Sequence, residues 1–143
     1  MFIGEYEHNL DEKGRLALPA RFRIKLVEGV VVTRGLDSCL SVYPLKEWRK
    51  IAEKLANLPI SQASSRSFAR FMLTGAMDLT PDKQGRIVLP EYLRNYASLE
   101  KTAIVAGLYN RLEIWDKSAW EKYRLGAEQK STEIAETMGE LGI

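Results

Sequence analysis

Apolar and polar residues alternate along the first ten positions of the chain, where Phe2, Tyr6 and Leu10 share one face of an extended backbone. The alternation resumes a few residues later, with Leu16 and Leu18 on the apolar face. A period of two is typical of β-strands that bury one side. The sequence therefore predicts two strands at the start of the chain, separated by a short polar segment.

Later segments combine short apolar runs with longer stretches at helical spacing. Strands are expected at residues 30–33 and 40–43, near 75–80, at 86–89, near 102–108 and at 111–115. Helices are expected from Pro19 to about Leu26, from about Leu45 to Asn57, over 61–72, after Pro90 and after the strand at 111–115. Ser118 and Glu121 form a capping box, which predicts the start of the last of these helices.

An internal repeat organises these elements. Residues 11–23 read DEKGRLALPARFR and residues 82–94 read DKQGRIVLPEYLR, so six of 13 positions are identical at an offset of 71. Downstream the offset becomes 72, and Trp48 then matches Trp120. We therefore predict a tandem duplication. Its parts are a first repeat at 1–49, a helical connector at 50–72, a second repeat at 73–125 and an acidic tail at 126–143, which is expected to be frayed or docked on a neighbour.

One repeat, with the order strand-turn-strand-helix-strand-strand, is too small to bury both faces of its own sheet. Two such repeats can cover each other, because each supplies an apolar face that the other lacks. We therefore expect an α+β fold in which both repeats form one pseudo-two-fold β-barrel with peripheral helices, rather than two independent domains.

Composition narrows the possible functions. Among 143 residues there is one cysteine, Cys39, and one histidine, His8. A disulfide within the chain is therefore excluded, and a zinc site of Cys and His ligands cannot be assembled. The acidic N-terminal segment does not resemble a signal peptide, and the longest mostly apolar run, residues 102–109, is far too short to span a membrane. We expect a cytoplasmic protein that uses no metal, no cofactor and no small-molecule substrate.

The repeated segment carries the most informative chemistry. In each copy an Asp is followed, four residues later, by an Arg that points away from the apolar face of its strand. The two pairs are Asp11 with Arg15 and Asp82 with Arg86. The carboxylate can accept backbone N–H groups of the turn or pair with the arginine, and Gly14 or Gly85 can take the positive φ of a bulged hairpin. The sequence thus predicts two hairpins whose arginines face outward.

Charge favours a polyanionic partner. Residues 1–70 contain 12 basic and 8 acidic residues, whereas residues 71–143 contain 9 and 11. Outward arginines that are duplicated about a pseudo-dyad suit the phosphates and base edges of duplex DNA. The predicted DNA-binding residues are Lys13, Arg15, Arg21, Arg23, Lys83 and Arg86, and the predicted hairpin-orienting residues are Asp11, Gly14, Asp82 and Gly85. The first copy is the more basic, so Arg15 is expected to contribute more than Arg86.

Three other functions are alternatives to DNA binding. An enzyme could use Asp11 with Glu12 as an acid–base pair, but turn carboxylates are commoner, and the sequence has neither a Gly-rich phosphate loop nor a nucleophile elbow. An RNA-binding protein would need exposed aromatic residues among the basic ones, and the basic segments of this sequence lack them. An antitoxin-like or other protein-interaction barrel shares the fold, so the sequence leaves it open. His8 is expected to be a packed or interface residue, and Cys39 a plain small residue at a turn. Trp48 and Trp120 are expected to belong to the core between helix and sheet.

The duplicated DxxxR pattern resembles the MraZ family of bacterial transcriptional regulators, of the AbrB/SpoVT-like swapped-hairpin barrel class. The resemblance extends from residue 1 to about residue 125 and includes the paired Trp48 and Trp120 and the segments YPLKEW and IWDKSAW. It implies a swapped-hairpin barrel and a sequence-specific regulator that binds double-stranded DNA and is nucleoid-associated. It also implies a ring-like homo-oligomer, binding to short repeated promoter elements, and control of a cell-division and cell-wall gene cluster.

Overall fold

Strands and helices are distributed along residues 1–142, the part of the chain that the computed structural model describes. The strands are β1 (Phe2–Asn9), β2 (Arg15–Ala17), β3 (Val30–Arg34), β4 (Leu40–Pro44), β5 (Met77–Leu79), β6 (Arg86–Val88), β7 (Thr102–Tyr109) and β8 (Leu112–Asp116). The helices are α1 (Ala20–Arg23), α2 (Leu45–Ala56), α3 (Ala63–Gly75), α4 (Glu91–Tyr96), α5 (Lys117–Gln129) and α6 (Ser131–Thr137). Short 3-10 turns cover Leu36–Ser38 and Met138–Leu141. The predicted α+β class is confirmed.

Six of the strands form one antiparallel sheet in the order β1-β7-β8-β4-β3-β5. Each repeat supplies an outer strand to the other, because β1 pairs along its whole length with β7 of the second repeat and β5 pairs with β3 of the first. The remaining strands, β2 and β6, pair with each other as a separate two-stranded ribbon, called the β2–β6 ribbon below. The repeats are therefore interleaved through their strands.

The expected closed barrel is not confirmed, because within residues 1–142 the sheet is open between its edge strands β1 and β5. These two strands are counterparts in the repeat, yet they differ in length. β1 has eight residues and β5 has three, because α3 continues to Gly75 and leaves only a short segment free to pair with β3. The helical connector thus limits the sheet at this edge.

The main core lies between the open sheet and the β2–β6 ribbon. Leu16 of β2 and Ile87 of β6 are buried, as expected for the apolar side of each strand. Phe22 of α1 meets the rings of Phe2 and Tyr6 edge-on, with 5.2 Å between ring centroids in both cases. One cluster of side chains from both repeats therefore holds the ribbon on the sheet.

Two helix ends differ from the sequence prediction. α1 ends at Arg23, three residues before Leu26, and the chain continues in turns. The N-cap of α5 is Asp116 rather than Ser118, because the Asp116 carboxylate accepts the backbone N–H groups of Ser118 and the residue after it. The predicted capping box is therefore wrong. An aspartate caps a helix as well as a serine does, so the earlier of the two capping residues begins the helix.

The helices pack on the sheet through aromatic residues, as predicted. Trp48 of α2 contacts Tyr43, and Trp120 of α5 contacts Trp115, with ring centroids 5.8 Å and 5.3 Å apart. The connector α3 is fixed to β3 because the Thr33 hydroxyl donates to the carbonyl of Met72 at 2.6 Å.

The described part of the acidic tail, residues 126–142, is mostly helical. α5 continues to Gln129, and α6 follows with all of its side chains exposed. None of the helices in residues 1–142 combines the length and the apolar character needed to cross a membrane.

Candidate nucleic-acid interface

Each repeat folds its DxxGR segment into a bulged hairpin. In the first repeat the N–H of Gly14 donates to the carbonyl of Asp11 at 3.0 Å, which closes a four-residue turn. Gly14 takes a φ of +80°, which is costly for a residue with a side chain. The N–H of Asp11 donates to the carbonyl of Arg15 at 3.1 Å, so strand pairing resumes directly after the turn. This geometry is a hairpin loop with a G1 bulge, which a local Asp-x-x-Gly sequence favours.

The aspartate of each hairpin holds the turn through one carboxylate oxygen. Asp11 Oδ1 accepts the backbone N–H of Lys13 at 2.9 Å and that of Arg15 at 2.8 Å. Asp82 Oδ1 repeats both contacts in the second hairpin, at 2.8 Å and 2.9 Å. Gly85 takes a φ of +76° there, so the two turns have the same geometry.

The other carboxylate oxygen orients the arginine. Asp11 Oδ2 accepts from Arg15 Nε at 2.5 Å, and Asp82 Oδ2 accepts from Arg86 Nε at 3.0 Å. About a third of each arginine side chain remains exposed. The pair uses Nε, and neither guanidinium makes a further hydrogen bond within residues 1–142, so both Nη groups of each arginine can still donate to a ligand.

Hydrogen bonding keeps both aspartates ionised. The backbone N–H of Arg15 holds the pKa of Asp11 below its ordinary value against a smaller opposing effect of desolvation, and the Arg15 guanidinium adds to the lowering. The equivalent bonds from Arg86 lower the pKa of Asp82. Both carboxylates are therefore charged at neutral pH, where each orients a cation.

The two arginines lie on one face of the β2–β6 ribbon. The strands are antiparallel, with Arg15 opposite Val88 and Arg86 opposite Ala17. Directly opposed residues point to the same side of a sheet, so these four side chains form the outer face, while the residues between them are buried. Diagonal neighbours of this kind are about 7–8 Å apart. The ribbon thus presents two guanidinium groups close together about a pseudo-two-fold axis.

The other predicted cations fall into two groups. Lys13 and Lys83 are exposed at the tips of the two hairpins, next to the arginines of the ribbon. Arg21 and Arg23 belong to α1 instead. Arg21 is exposed and donates from Nη1 to the Tyr6 hydroxyl at 2.9 Å, whereas Arg23 is half-buried and donates from Nε to a backbone carbonyl at 2.9 Å.

Two residues of this region are missing from the sequence prediction. Val88, on the outer face of the ribbon, is 52% exposed. Arg94 of α4 donates from Nε to the carbonyl of Leu89 at 2.9 Å, as Arg23 does in α1. The identity of Arg23 and Arg94 in the repeated segment was a signal for the second residue. The exposure of Val88 depends on the pairing of two distant strands, which no local pattern specifies.

Burial shifts the pKa values of Cys39 and His8 in the directions that favour the neutral side chains. Cys39 is buried, and burial raises the pKa of its thiol to about 12, so the reactive thiolate is not formed at neutral pH. Burial also lowers the pKa of His8, with a smaller contribution from the charge of Arg23. Nowhere in residues 1–142 do three or more His, Cys, Asp or Glu side chains cluster so that they could hold a metal ion.

The chain matches one protein family along nearly its whole length. The family model for MraZ protein, whose description likens it to antitoxins, matches residues 1–71 and again residues 72–141. Relatives from Halothermothrix orenii and Pediococcus pentosaceus are 50% and 48% identical over 143 residues, covering all of this chain and all of each relative. A relative from Desulforamulus reducens is 48% identical over 141 residues, or 99% of both chains. All three are named transcriptional regulator MraZ, and the double match confirms the predicted duplication.

Proposed function

This chain belongs to the MraZ family, and from that membership we propose that it regulates transcription by binding specific sequences of double-stranded DNA. The proposed contact is the outer face of the β2–β6 ribbon. The targets are short repeated promoter elements of a cell-division and cell-wall gene cluster, and the protein is cytoplasmic and nucleoid-associated. Catalysis is not part of the proposal, since the family description and the names of the relatives refer to no enzyme class.

One observation carries the proposal: two outward arginines share a two-stranded antiparallel ribbon. The major groove of B-form DNA is about 12 Å wide and admits such a ribbon. Because Arg15 and Arg86 are diagonal neighbours, both can reach base edges in the same groove. An arginine with both Nη groups available can donate two parallel hydrogen bonds to guanine O6 and N7, which is a common sequence-specific contact.

The aspartates and lysines have complementary roles in this proposal. Asp11 and Asp82 hold the arginines in one orientation before DNA arrives, so less side-chain entropy is lost on binding. Lys13 and Lys83 contact phosphates, which adds affinity and fixes the register without reading sequence. Arg21 and Arg23 of α1 extend the positive charge beside the first hairpin.

We also propose that the protein forms a ring-like homo-oligomer. Support comes from exposed apolar side chains that line one concave surface, namely Met1, Ile24, Val27 and Tyr109, which are between 64% and 79% exposed. A second copy that covers this surface would remove apolar area from water. Several linked ribbons would then bind tandem elements with avidity. Light scattering that finds only monomers would contradict the ring.

Fluorescence anisotropy with the duplex upstream of the protein's own gene tests the proposed function. We expect tighter binding to this duplex than to a scrambled duplex or a single-stranded RNA. The log–log salt slope should have a magnitude of roughly 4 or more, because each neutralised phosphate contributes about −0.9. Equal affinity for the scrambled duplex, or a flat salt dependence, would contradict sequence-specific binding. A folded protein that binds no duplex would favour the antitoxin-like alternative.

A further inference from the structure

The glycine of each hairpin is buried, although hairpin turns are usually exposed. Gly14 and Gly85 are covered by arginine side chains from the opposite repeat. A Cβ atom on Gly14 would lie 2.9 Å from Nε and 3.1 Å from Cζ of Arg94, and one on Gly85 would overlap the side chain of Arg23. Each turn therefore rests against an arginine that its own repeat does not supply.

The same arginines are connected to the turns by hydrogen bonds. Arg94 Nε donates to the carbonyl of Leu89 at 2.9 Å, and the N–H of Leu89 donates to the carbonyl of Gly14 at 2.8 Å. One residue thus links the arginine of the second repeat to the turn of the first. The other half of the ribbon repeats this link from Arg23 to Gly85, with both bonds at 2.9 Å.

We propose that Arg94 is a positioning residue for the first hairpin and that Arg23 is one for the second. A guanidinium is planar and donates from Nε, so it can bond a strand carbonyl while a turn without a Cβ lies against it. Each arginine fixes the place of the opposite turn, and thereby the direction in which Arg15 or Arg86 leaves the ribbon. The effect on DNA binding rests on the proposed function. The contact between each arginine and the turn of the opposite repeat, called the crossed contact below, does not.

Lysine substitutions separate this positioning role from a role of charge alone. A lysine at position 94 or 23 keeps the positive charge, but it has no donor at the Nε position and no planar group beside the glycine. If the two arginines acted only through charge, Arg94→Lys and Arg23→Lys would leave the hairpins and the DNA affinity unchanged. If they position the turns, each variant loosens the hairpin of the other repeat.

Amide hydrogen exchange of the DNA-free protein tests directly whether each arginine positions the hairpin of the opposite repeat. In Arg94→Lys we expect exchange at the N–H groups of Lys13 and Arg15 to accelerate roughly tenfold, as after the loss of a charge-assisted hydrogen bond, while the second hairpin stays within about twofold of the parent. Arg23→Lys should give the reverse pattern. Amides of β7 serve as the internal control for the folded sheet.

Several outcomes would overturn the proposal: acceleration in the variant's own repeat, equal acceleration in both hairpins, or no acceleration. If Arg94→Lys does not fold, Arg94→Met takes its place, because a methionine also lacks a donor at the Nε position and fills similar space. Failure of both variants to fold would also overturn it, since Arg94 would then support the whole fold rather than one turn.

A double-mutant cycle extends the test to DNA. The affinity losses of Arg94→Lys and Arg15→Ala should overlap, so that the double variant binds about as weakly as Arg15→Ala, whereas the losses of Arg94→Lys and Arg86→Ala should multiply. The opposite pattern would overturn the positioning role of the crossed contact. If neither Arg15→Ala nor Arg86→Ala weakens binding, the proposed function fails, and the exchange experiment still decides the positioning roles.

Discussion

The two hairpins share one turn but have different surroundings. In both, an aspartate accepts two backbone N–H groups and the Nε of the arginine, and the glycine takes a φ of +80° or +76°. Around the first, residues 11–25 contain five basic and two acidic residues, whereas residues 82–96 around the second contain three and two. Ala20 after the first hairpin corresponds to Glu91 after the second. The repeats thus have the same turn geometry with different charge around it.

The repeats also differ at a second pair of equivalent positions, where the first repeat has a cation and the second has a structural contact. Arg21 of α1 is exposed and contacts Tyr6. Its counterpart Tyr92 donates its hydroxyl to the carbonyl of Gly75 at 2.9 Å, which ties α4 to the end of the connector helix. The helix that follows the second hairpin is therefore held by the connector, while the helix that follows the first carries an additional charge. Two turns of the same geometry are thus expected to contribute unequally to the binding of a polyanion.

The largest expected effect tests what the hairpins share. Gly14→Val and Gly85→Val place a β-branched side chain at a positive φ and against an arginine of the other repeat. We expect each to lower the free energy of unfolding by about 3 kcal/mol or more in urea titrations. Gly126→Val is the control, because a Cβ there meets nothing within 4 Å, and it should change stability by less than about 1 kcal/mol. A large effect at only one turn glycine would contradict the equivalence of the turns.

The next effect tests where the hairpins differ. Arg15→Ala and Arg86→Ala should each weaken binding to the same operator duplex by about 1–3 kcal/mol, with the larger loss for Arg15→Ala because its surroundings are more basic. Both titrations are performed at one fixed salt concentration. Arg49→Ala, which removes an exposed arginine of α2, is the control for net charge. Equal losses, or a larger loss for Arg86→Ala, would contradict the asymmetry.

The pH dependence of stability compares the two aspartates. Their pKa values are lowered in the folded protein, so their contribution is present above the ordinary aspartate pKa of about 3.9 and is lost as the pH falls through the lowered values. The urea midpoint should therefore decrease as the pH is lowered in the acidic range. Asp11→Asn and Asp82→Asn should each make the midpoint depend less on pH. The shorter pair, Asp11 with Arg15, should give the larger reduction in this dependence. Curves that coincide with the parent would contradict the role of these carboxylates.

The smallest effect is expected from a substitution that makes the surroundings of the second hairpin more like those of the first. Glu91→Ala removes an exposed carboxylate from the position that Ala20 occupies in the other repeat. Less repulsion of phosphate should tighten duplex binding by about twofold at low salt, and the gain should disappear at high salt. Glu140→Ala, in the exposed tail, is the matched control. Weaker binding by Glu91→Ala would show that charge does not explain the difference between the repeats.

Local features of the ribbon could be predicted, because their determinants lie within five residues. Asp11, Gly14 and Arg15 together specify the type of turn, its left-handed residue and its ion pair. The alternation that buries Leu16 and exposes the arginine is equally local. The hairpin residues are therefore predictable from the sequence alone.

Features that depend on distant partners could not be predicted from one sequence. The pairing of β2 with β6, and hence the position of Val88 beside Arg15, joins residues 73 positions apart. The length of β5 depends on a competition with α3 for residues before Met77, which propensities alone do not decide. Arg94 was visible as a repeated residue, but its contact with the opposite turn follows only from the interleaving of the repeats.

The central claim is that the outer face of the β2–β6 ribbon contacts duplex DNA through Arg15 and Arg86. The most direct test is the affinity of the double variant Arg15→Ala/Arg86→Ala for the operator duplex over a series of salt concentrations, with folding verified by circular dichroism. We expect a folded protein that no longer distinguishes the operator from a scrambled duplex, whereas its log–log salt slope stays close to that of the parent because the phosphate-contacting lysines remain. A folded double variant that binds the operator with the affinity and the sequence preference of the parent would contradict the claim.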